Sequence, residues 1–309
     1  MDVVGHMLQV AIRSGTPLLL GAVGEIYAER SGVMNLGIEG MMLVGAITGF
    51  AVALATGQPW LGFLAACLAG MVMALIHAFL SISLYANQVV SGLALAMLGL
   101  GLSSLMGRSY VGQPLPYRLL PQAIPGLADL PVIGPALFYQ DPVVYLALGL
   151  AVASWFVLYR TRWGIIVRAV GDDPAAADAM GVNVYAVRYA CVAFGGAMSG
   201  LAGAYLSVVY TPAWFEGMTA GRGWIALALV IFAFWDPLKA ILGAYLFGAT
   251  EALQYALQTN LGIAAPLLGM IPYAATILAM LVAMSEALRK RIGAPAALGK
   301  PYIREERVL

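Results

Sequence analysis

Glu25, Glu29, Arg30, Asn35 and Glu39 fall in one short stretch, Gly24-Glu25-Ile26-Tyr27-Ala28-Glu29-Arg30-Ser31-Gly32-Val33-Met34-Asn35-Leu36-Gly37-Ile38-Glu39-Gly40, with long apolar runs on both sides. A charge near the centre of a bilayer costs about 2.5–3.5 kcal/mol on insertion scales, so four unpaired ones would cost on the order of 10 kcal/mol. Groups that costly persist where they face a protein interior or a watery path, which makes the segment a candidate transport site. Two arrangements answer the cost. Either the side chains line a path and meet a cargo, or Glu29 or Glu39 pairs with Arg30 and holds a broken helix together. Asn35 and Glu39 stand one helical turn apart and would share a face.

Other polar groups interrupt the apolar runs. Asn87, Gln88 and Ser91 mark a boundary between two runs, and Glu251 and Gln254 share a helical face, with Gln258 one turn further on. Neutral amides suit a neutral, hydrogen-bonding cargo; they also serve as polar glue between helices. His77 fits an interhelical hydrogen bond. The six tryptophans fall mostly at the ends of runs, as an interfacial belt would have them. Trp214, Phe215 and Trp224 could alternatively stack on a planar ring, and Trp224 joins the path candidates. No metal-ligand spacing and no nucleophile–base pair occurs, so no catalytic residue or metal site is assigned. Cys67 and Cys191 lie inside apolar runs and read as small buried hydrophobes.

The elements that must position these groups are membrane helices. Of 309 residues, 62% are hydrophobic and 10% charged, against about 25% charged in a soluble domain. Mean hydropathy is +0.88. The fold class is an all-α polytopic membrane protein, one transmembrane domain over 1–309. A spanning helix needs about 20 apolar residues, and the runs place candidates at 7–24, 33–56, 60–84, 88–107, 142–159, 188–210, 223–235, 237–257 and 267–286. The seventh is short and ends at Trp235-Asp236-Pro237, as a half-helix or broken span would. Eight to ten crossings are expected. The first run lacks a basic leader before it and is expected to be retained. The net charge of +1, with no basic patch interleaved with aromatics, gives no sign of nucleic acid.

Positive charge sets orientation. Arg160, Arg162, Arg168 and Arg188 gather in one loop, and Arg289, Lys290, Arg291, Lys300, Arg304 and Arg307 crowd the tail at 287–309, so both are expected on the cytoplasmic side. The segment 109–141, rich in Pro, reads as an ordered external loop. Setting Pro59 against Pro237 matches Leu64 with Leu242, Ala66 with Ala244, Gly70 with Gly248 and Ala74 with Ala252. That register suggests repeat halves at 1–107 and 188–286, the second inverted by an intervening span; inverted repeats place substrate sites near the midplane. Gly196, Gly200 and Ala204 at four-residue spacing let helix backbones approach.

The loop 160–188 is specified beyond what a connector needs. Asp172-Asp173-Pro174-Ala175-Ala176-Ala177-Asp178-Ala179-Met180-Gly181 gives an Asp cap, Pro at the first helical position, an Ala-rich body and a Gly stop: a short helix over about 174–180. Its acidic residues argue against a helix resting on headgroups and favour a docking element.

Over nearly its whole length the chain resembles the permease subunits of bacterial ABC importers of the branched-chain amino acid, ribose and nucleoside group. The residues that carry this are Gly24-Glu25 through Gly40-Met41-Met42, Arg168 through Gly181, and Gly221-Arg222-Gly223-Trp224-Ile225-Ala226-Leu227-Ala228. The form Glu29-Arg30-Ser31-Gly32-Val33-Met34-Asn35-Leu36-Gly37-Ile38-Glu39-Gly40-Met41 is most similar to permeases of nucleoside uptake that work with basic membrane lipoproteins. The resemblance implies a transport subunit in the bacterial cytoplasmic (inner) membrane with a cytoplasmic C-terminus. It implies a second, homologous but different permease chain, an ABC ATPase that binds ATP and Mg, and a substrate-binding lipoprotein; this chain has no Walker A motif and no cofactor of its own. It also makes Arg168, Asp172, Asp173, Pro174, Ala177, Met180 and Gly181 the coupling element that seats in the ATPase. Cargo is expected to be a nucleoside or related small sugar. Alternatives are a branched-chain amino acid or simple-sugar permease, or a proton-coupled carrier using the buried Glu residues.

Overall fold

The computed structural model describes residues 3–131, 133–261, 265–268, 270–283 and 293–304. Helix α1 (Val3–Arg30) takes in the first apolar run and continues through Glu25, Glu29 and Arg30, so the charges are carried on a helix and the break comes after them. A turn over 31–37 follows, with Gly32 at φ +90°, where a side chain would be strained and would meet the Arg188 guanidinium. Helix α2 (Ile38–Thr56) stops at Gly57 in the left-handed region, and α3 (Pro59–Ala78) opens on a proline whose missing N–H is no loss there. A π-turn over Phe79–Ser83 extends α3. Helix α4 (Gln88–Gly107) is capped by Asn87, whose Oδ1 accepts from the Val89 and Val90 amides.

The Pro-rich segment has short elements among its described residues. It holds helix α5 (Ile133–Phe138) and two short antiparallel strands, β1 (Gln122–Ala123) and β2 (Tyr139–Gln140), with Gln122 opposite Gln140. Helix α6 (Pro142–Arg160) follows, capped by Asp141, then α7 (Arg162–Asp172) and α8 (Pro174–Ala179). Helix α9 (Val184–Ala204) continues into a π-helical segment, Tyr205–Tyr210. The half-helix expected before Pro237 is α10 (Arg222–Phe232), 11 residues long; Phe234 and Trp235, both at φ 54°, turn the chain into α11 (Pro237–Leu261). Helices α12 (Ala265–Leu268) and α13 (Ile271–Ala283) follow.

Among the described residues, Ile38–Thr56, Pro59–Ser83, Gln88–Tyr110, Pro142–Arg160 and Val184–Tyr210 are long and apolar enough to cross a membrane. The chain is an all-α, multi-pass membrane protein. The helix containing α9 is the most enclosed of these, and small residues set its packing. A Cβ on Gly70 of α3 would lie 2.1 Å from the Gly196 carbonyl oxygen, and one on Gly200 would lie 2.0 Å from that of Ala66. Helix α11 meets α1 in the same way: a Cβ on Gly248 would lie 2.0 Å from the Ala11 oxygen and 2.6 Å from the Gly15 nitrogen. Gly70 and Gly248 are the positions that the Pro59–Pro237 register matches. The last residues of the expected span 267–286, and the tail cations Arg289, Lys290, Arg291 and Arg307, lie outside the described residues.

Candidate functional site

Helix α10 organises the site. The first N–H groups of a helix have no partner within it, and Glu39, in the first turn of α2, supplies one. Its Oε1 accepts from Thr219 Oγ1 at 2.6 Å and from the Gly221 amide at 2.8 Å, and Oε2 accepts from the Gly223 amide at 2.7 Å. A carboxylate is favoured at this positive end of the helix. Glycine at 223 allows the approach, since a Cβ there would sit 2.5 Å from the Glu39 nitrogen.

The opposite end of α10 is held from the same segment. Arg30 donates through Nε to the Trp235 carbonyl and through Nη2 to the Phe234 carbonyl, each at 3.3 Å, and through Nη2 to Tyr159 Oη at 3.2 Å. Glu29 accepts from Trp235 Nε1 at 2.5 Å. The expected ion pair between Arg30 and Glu29 or Glu39 is therefore replaced. Among the described residues the ion pairs are Arg13–Asp141, Arg222–Glu251 and Arg304–Asp178. The broken helix offers the anion bare N–H groups at its start, and the turn that follows its last residue, Phe232, offers the cation the Phe234 and Trp235 carbonyls, so each charge is satisfied without the other.

Glu25 is buried and accepts from the Asn35 amide at 2.9 Å; Asn35 Oδ1 accepts from the Gly37 amide at 2.9 Å. Asn35 thus belongs to the turn ahead of α2, and the shared helical face with Glu39 does not form. The Glu25–Asn35 contact ties the end of α1 to that turn.

Beside α10 lies a cavity of about 350 Å³ between the π-helical end of α9, the start of α10, α11 and α13. Arg222, Glu251, Gln254, Tyr210, Phe215 and Tyr273 border it. Arg222 Nη2 is 3.0 Å from Glu251 Oε1, Ser14 Oγ donates to Glu251, and the guanidinium carbon stands 5.9 Å from the Tyr210 ring centroid. Across Ala220, a second cavity of about 290 Å³ is bordered by Glu39, Thr219, Met97 and the half-exposed Trp224. Donors, acceptors and aromatic faces converging on a concave, largely apolar wall can hold a neutral ring that hydrogen-bonds at its edge. Arg222 carries part of the family resemblance but is not among the path candidates read from sequence, although a lone Arg between Gly221 and Gly223 at the head of an apolar run is a visible signal.

Asn87, Gln88 and Ser91 are occupied elsewhere. Asn87 caps α4, Gln88 Oε1 accepts from the Met34 amide at 2.8 Å, and Ser91 Oγ is 3.0 Å from His77 Nδ1. His77 Nε2 reaches the Met34 carbonyl of the turn at 3.1 Å, and its Nδ1 contact with Ser91 of α4 is the interhelical bond expected of it. Trp214 and Trp235 are buried within the protein and stand outside any interfacial belt; Trp214 packs against Gly107, where a Cβ would fall 2.0 Å from its ring.

On the other face, α8 has the ends its sequence specifies. Asp173 Oδ1 accepts from the Ala176 amide at 2.9 Å, Pro174 takes the first position, and Gly181 stands at φ +87°. Ala177 is buried while Asp172, Asp173 and Met180 are exposed, Met180 at 85%. Arg168 lies 5.2 Å over the Tyr159 ring and donates to the Gly164 carbonyl at 3.3 Å, which ties α7 to the end of α6.

A multi-pass helical bundle with buried polar residues, cavities against a broken helix and a projecting capped turn has the build of a membrane transport subunit. The family described as branched-chain amino acid transport system / permease component matches residues 7–284, and the chain belongs to it. It is the permease of an ABC transporter, a transport component and not an enzyme. It is similar to a Haloferax volcanii protein described as "Putative glucose ABC transporter permease protein TsgC13", at 42% identity over 99% of both chains. It is also similar to the guanosine ABC transporter permease NupQ of Bacillus subtilis, at 39% identity over 99% of this chain and 100% of that one. In fold it resembles PsaBC from Streptococcus pneumoniae, with a TM-score of 0.54 at 16% identity over 92% of this chain and 94% of that one.

Proposed function

We propose that this chain forms part of the translocation path of an ATP-driven importer for nucleosides or related small sugars. The cavity beside α10 carries the reading: Arg222, Glu251 and Gln254 offer hydrogen bonds to hydroxyls or a base edge, while Tyr210, Phe215 and Tyr273 offer ring faces. The kinship with a guanosine permease supports a nucleoside, and that with a glucose permease supports a simple sugar as the second reading.

In this reading α8 is the coupling helix and seats, with Met180 foremost, in a separate ABC ATPase that binds ATP and Mg. A substrate-binding lipoprotein delivers cargo on the opposite side, and a second, homologous permease chain completes the path. The chain sits in the bacterial cytoplasmic membrane with its C-terminus in the cytoplasm. The two halves around α3 and α11 are copies in opposite orientation, which is why Gly70 and Gly248 make equivalent contacts.

The test is uptake of labelled guanosine, other nucleosides, glucose, ribose and leucine by cells that lack their own carriers and express the whole transporter. Nucleosides or sugars should compete and leucine should not. Competition by leucine alone, or uptake by this chain alone in liposomes driven by a proton gradient, overturns the proposal.

A further inference from the structure

The segment 293–304 has little secondary structure of its own, yet it is bonded to the rest of the protein at Gly293, Ala297, Gly299, Lys300, Tyr302 and Arg304. Tyr302 Oη donates to Asp178 Oδ2 at 2.9 Å, and Arg304 Nη2 lies 3.3 Å from Asp178 Oδ1, so the tail holds α8 by its one inward carboxylate. Further back, Tyr185 Oη at the base of α9 donates to the Tyr302 carbonyl at 3.3 Å, and Arg188 Nη1 donates to the Lys300 carbonyl at 3.3 Å. Arg188 Nε also donates to Ser31 O at 3.2 Å, which joins the tail to the turn after α1.

The backbone continues the line. The Gly299 amide donates to Gly32 O at 3.2 Å and the Ala297 amide to Gly171 O at 2.9 Å. At the far end the Gly293 carbonyl accepts from Arg30 Nη1 at 3.1 Å. Arg30 is the residue whose other donors hold the Phe234 and Trp235 carbonyls just past the end of α10. Gly171 fits closely enough that a Cβ would lie 2.0 Å from Arg30 O and 3.3 Å from the Pro295 ring. Ordering a segment without secondary structure costs backbone entropy, which these bonds must offset.

We propose that residues 293–304 are a strap that carries the displacement of α8 to Arg30, and through Arg30 to α10 and the cavity beside it. Asp178, Tyr302 and Arg304 are positioning residues at the entrance of this relay, Arg188 holds its middle, and Arg30 delivers the movement. The strap is bonded at intervals along its length, and its two ends touch α8 and Arg30, the elements that must move together. The proposal rests on the importer reading above.

The test replaces Tyr302→Phe and Arg304→Gln together. This removes the tail's two described ties to Asp178 while keeping the ring of residue 302 against Tyr185 and the caps of α8. The full transporter, reconstituted in proteoliposomes with its ATPase and binding protein, is read as cargo taken up per ATP hydrolysed. The ratio should fall roughly two- to thirtyfold, the range over which residues between coupled sites act, with hydrolysis retained; Arg118→Gln in the external loop should leave it unchanged. Asp178→Asn, which keeps an acceptor for Tyr302 but loses the charge opposite Arg304, should lower the ratio less and supplies the reading if the double variant fails to assemble. An unchanged ratio overturns the strap, including the case where uptake and hydrolysis fall in proportion, since that marks a structural brace only. A wild-type transporter whose uptake ignores ATP overturns the importer reading and the strap together.

Discussion

Glu39 and Arg30 hold one short helix from both sides: the carboxylate takes the Gly221 and Gly223 amides at the start of α10, and the guanidinium takes the Phe234 and Trp235 carbonyls of the turn just past its end. Both come from the turn-flanking ends of α1 and α2, so α10 cannot shift far without loosening one grip. A broken helix in a membrane protein is tolerated where such partners answer its free backbone groups. Glu39 also carries the charge that suits the helix start.

Replacing Glu39→Gln should therefore impair both stability and transport. Gln keeps one acceptor but turns N–H groups toward the Gly223 amide, leaving a donor unanswered at a cost of about 1–3 kcal/mol. A lower melting temperature in detergent and reduced uptake are expected. Wild-type values in both would show that this cap is dispensable.

Arg30→Lys should behave like a loss, and Glu29→Gln should be mild. Lysine is a single point charge and cannot reach the Trp235, Phe234 and Gly293 carbonyls and Tyr159 Oη at once, as the guanidinium fork does. Glu29 accepts from Trp235 Nε1, and a glutamine carbonyl can accept that bond too. Uptake of the two variants, normalised to protein in the membrane, should rank Glu29→Gln well above Arg30→Lys. The reverse order would mean that Glu29 acts as a charge.

The positions of most helices and the caps of α8 were legible in the chain, because they follow from local rules: an Asp before a Pro, a Gly after an Ala-rich turn, apolar runs between charges. The partners of Glu39 and Arg30 were not, because a search for side-chain partners passes over the backbone ends of a helix far along the sequence. The continuation of α1 through its charges had a signal, since Glu25 and Glu29 at four-residue spacing share one face and are both buried. Arg222 also stood in view, but its match with Glu251 depends on α10 and α11 folding back on each other, which no local pattern specifies.

Gly70→Ala and Gly248→Ala should lower the yield of folded protein to a similar degree. Each added methyl would press on a facing backbone oxygen, that of Gly196 at 2.1 Å and that of Ala11 at 2.0 Å. Backbone cannot yield as a side chain tip does, and overpacking costs typically 1–3 kcal/mol. Gly101, with nothing within 4 Å, is the control. Purified yield and melting temperature should fall for the first two and hold for Gly101→Ala; tolerance at Gly248 alone would mean that the α1–α11 seam is looser than the α3–α9 seam.

Asp141 gives a prediction in pH. Its Oδ1 caps α6 by accepting from the Val143 and Val144 amides, and its Oδ2 accepts from Tyr205 Oη at 3.0 Å with Arg13 Nε 3.5 Å away. Burial pushes this carboxyl above the usual aspartate range, against the opposing pull of Tyr205, Arg13 and the two amides. A carboxyl raised in the fold holds its proton there at pH values where the unfolded chain has lost it. By linkage its contribution to stability is greatest below the unfolded value of about 3.9 and declines as pH rises from there to the folded value, levelling off beyond. Asp141→Asn keeps an acceptor for the cap and removes the titration, so the difference in melting temperature between wild type and variant should change with pH across that window and be flat above it. Asp141→Ala should be less stable than Asn by about 1 kcal/mol for the lost cap. A wild type that gains stability relative to Asn as pH rises through the window would mean that the Arg13 and Tyr205 contacts outweigh burial and that the carboxyl is ionised in the fold.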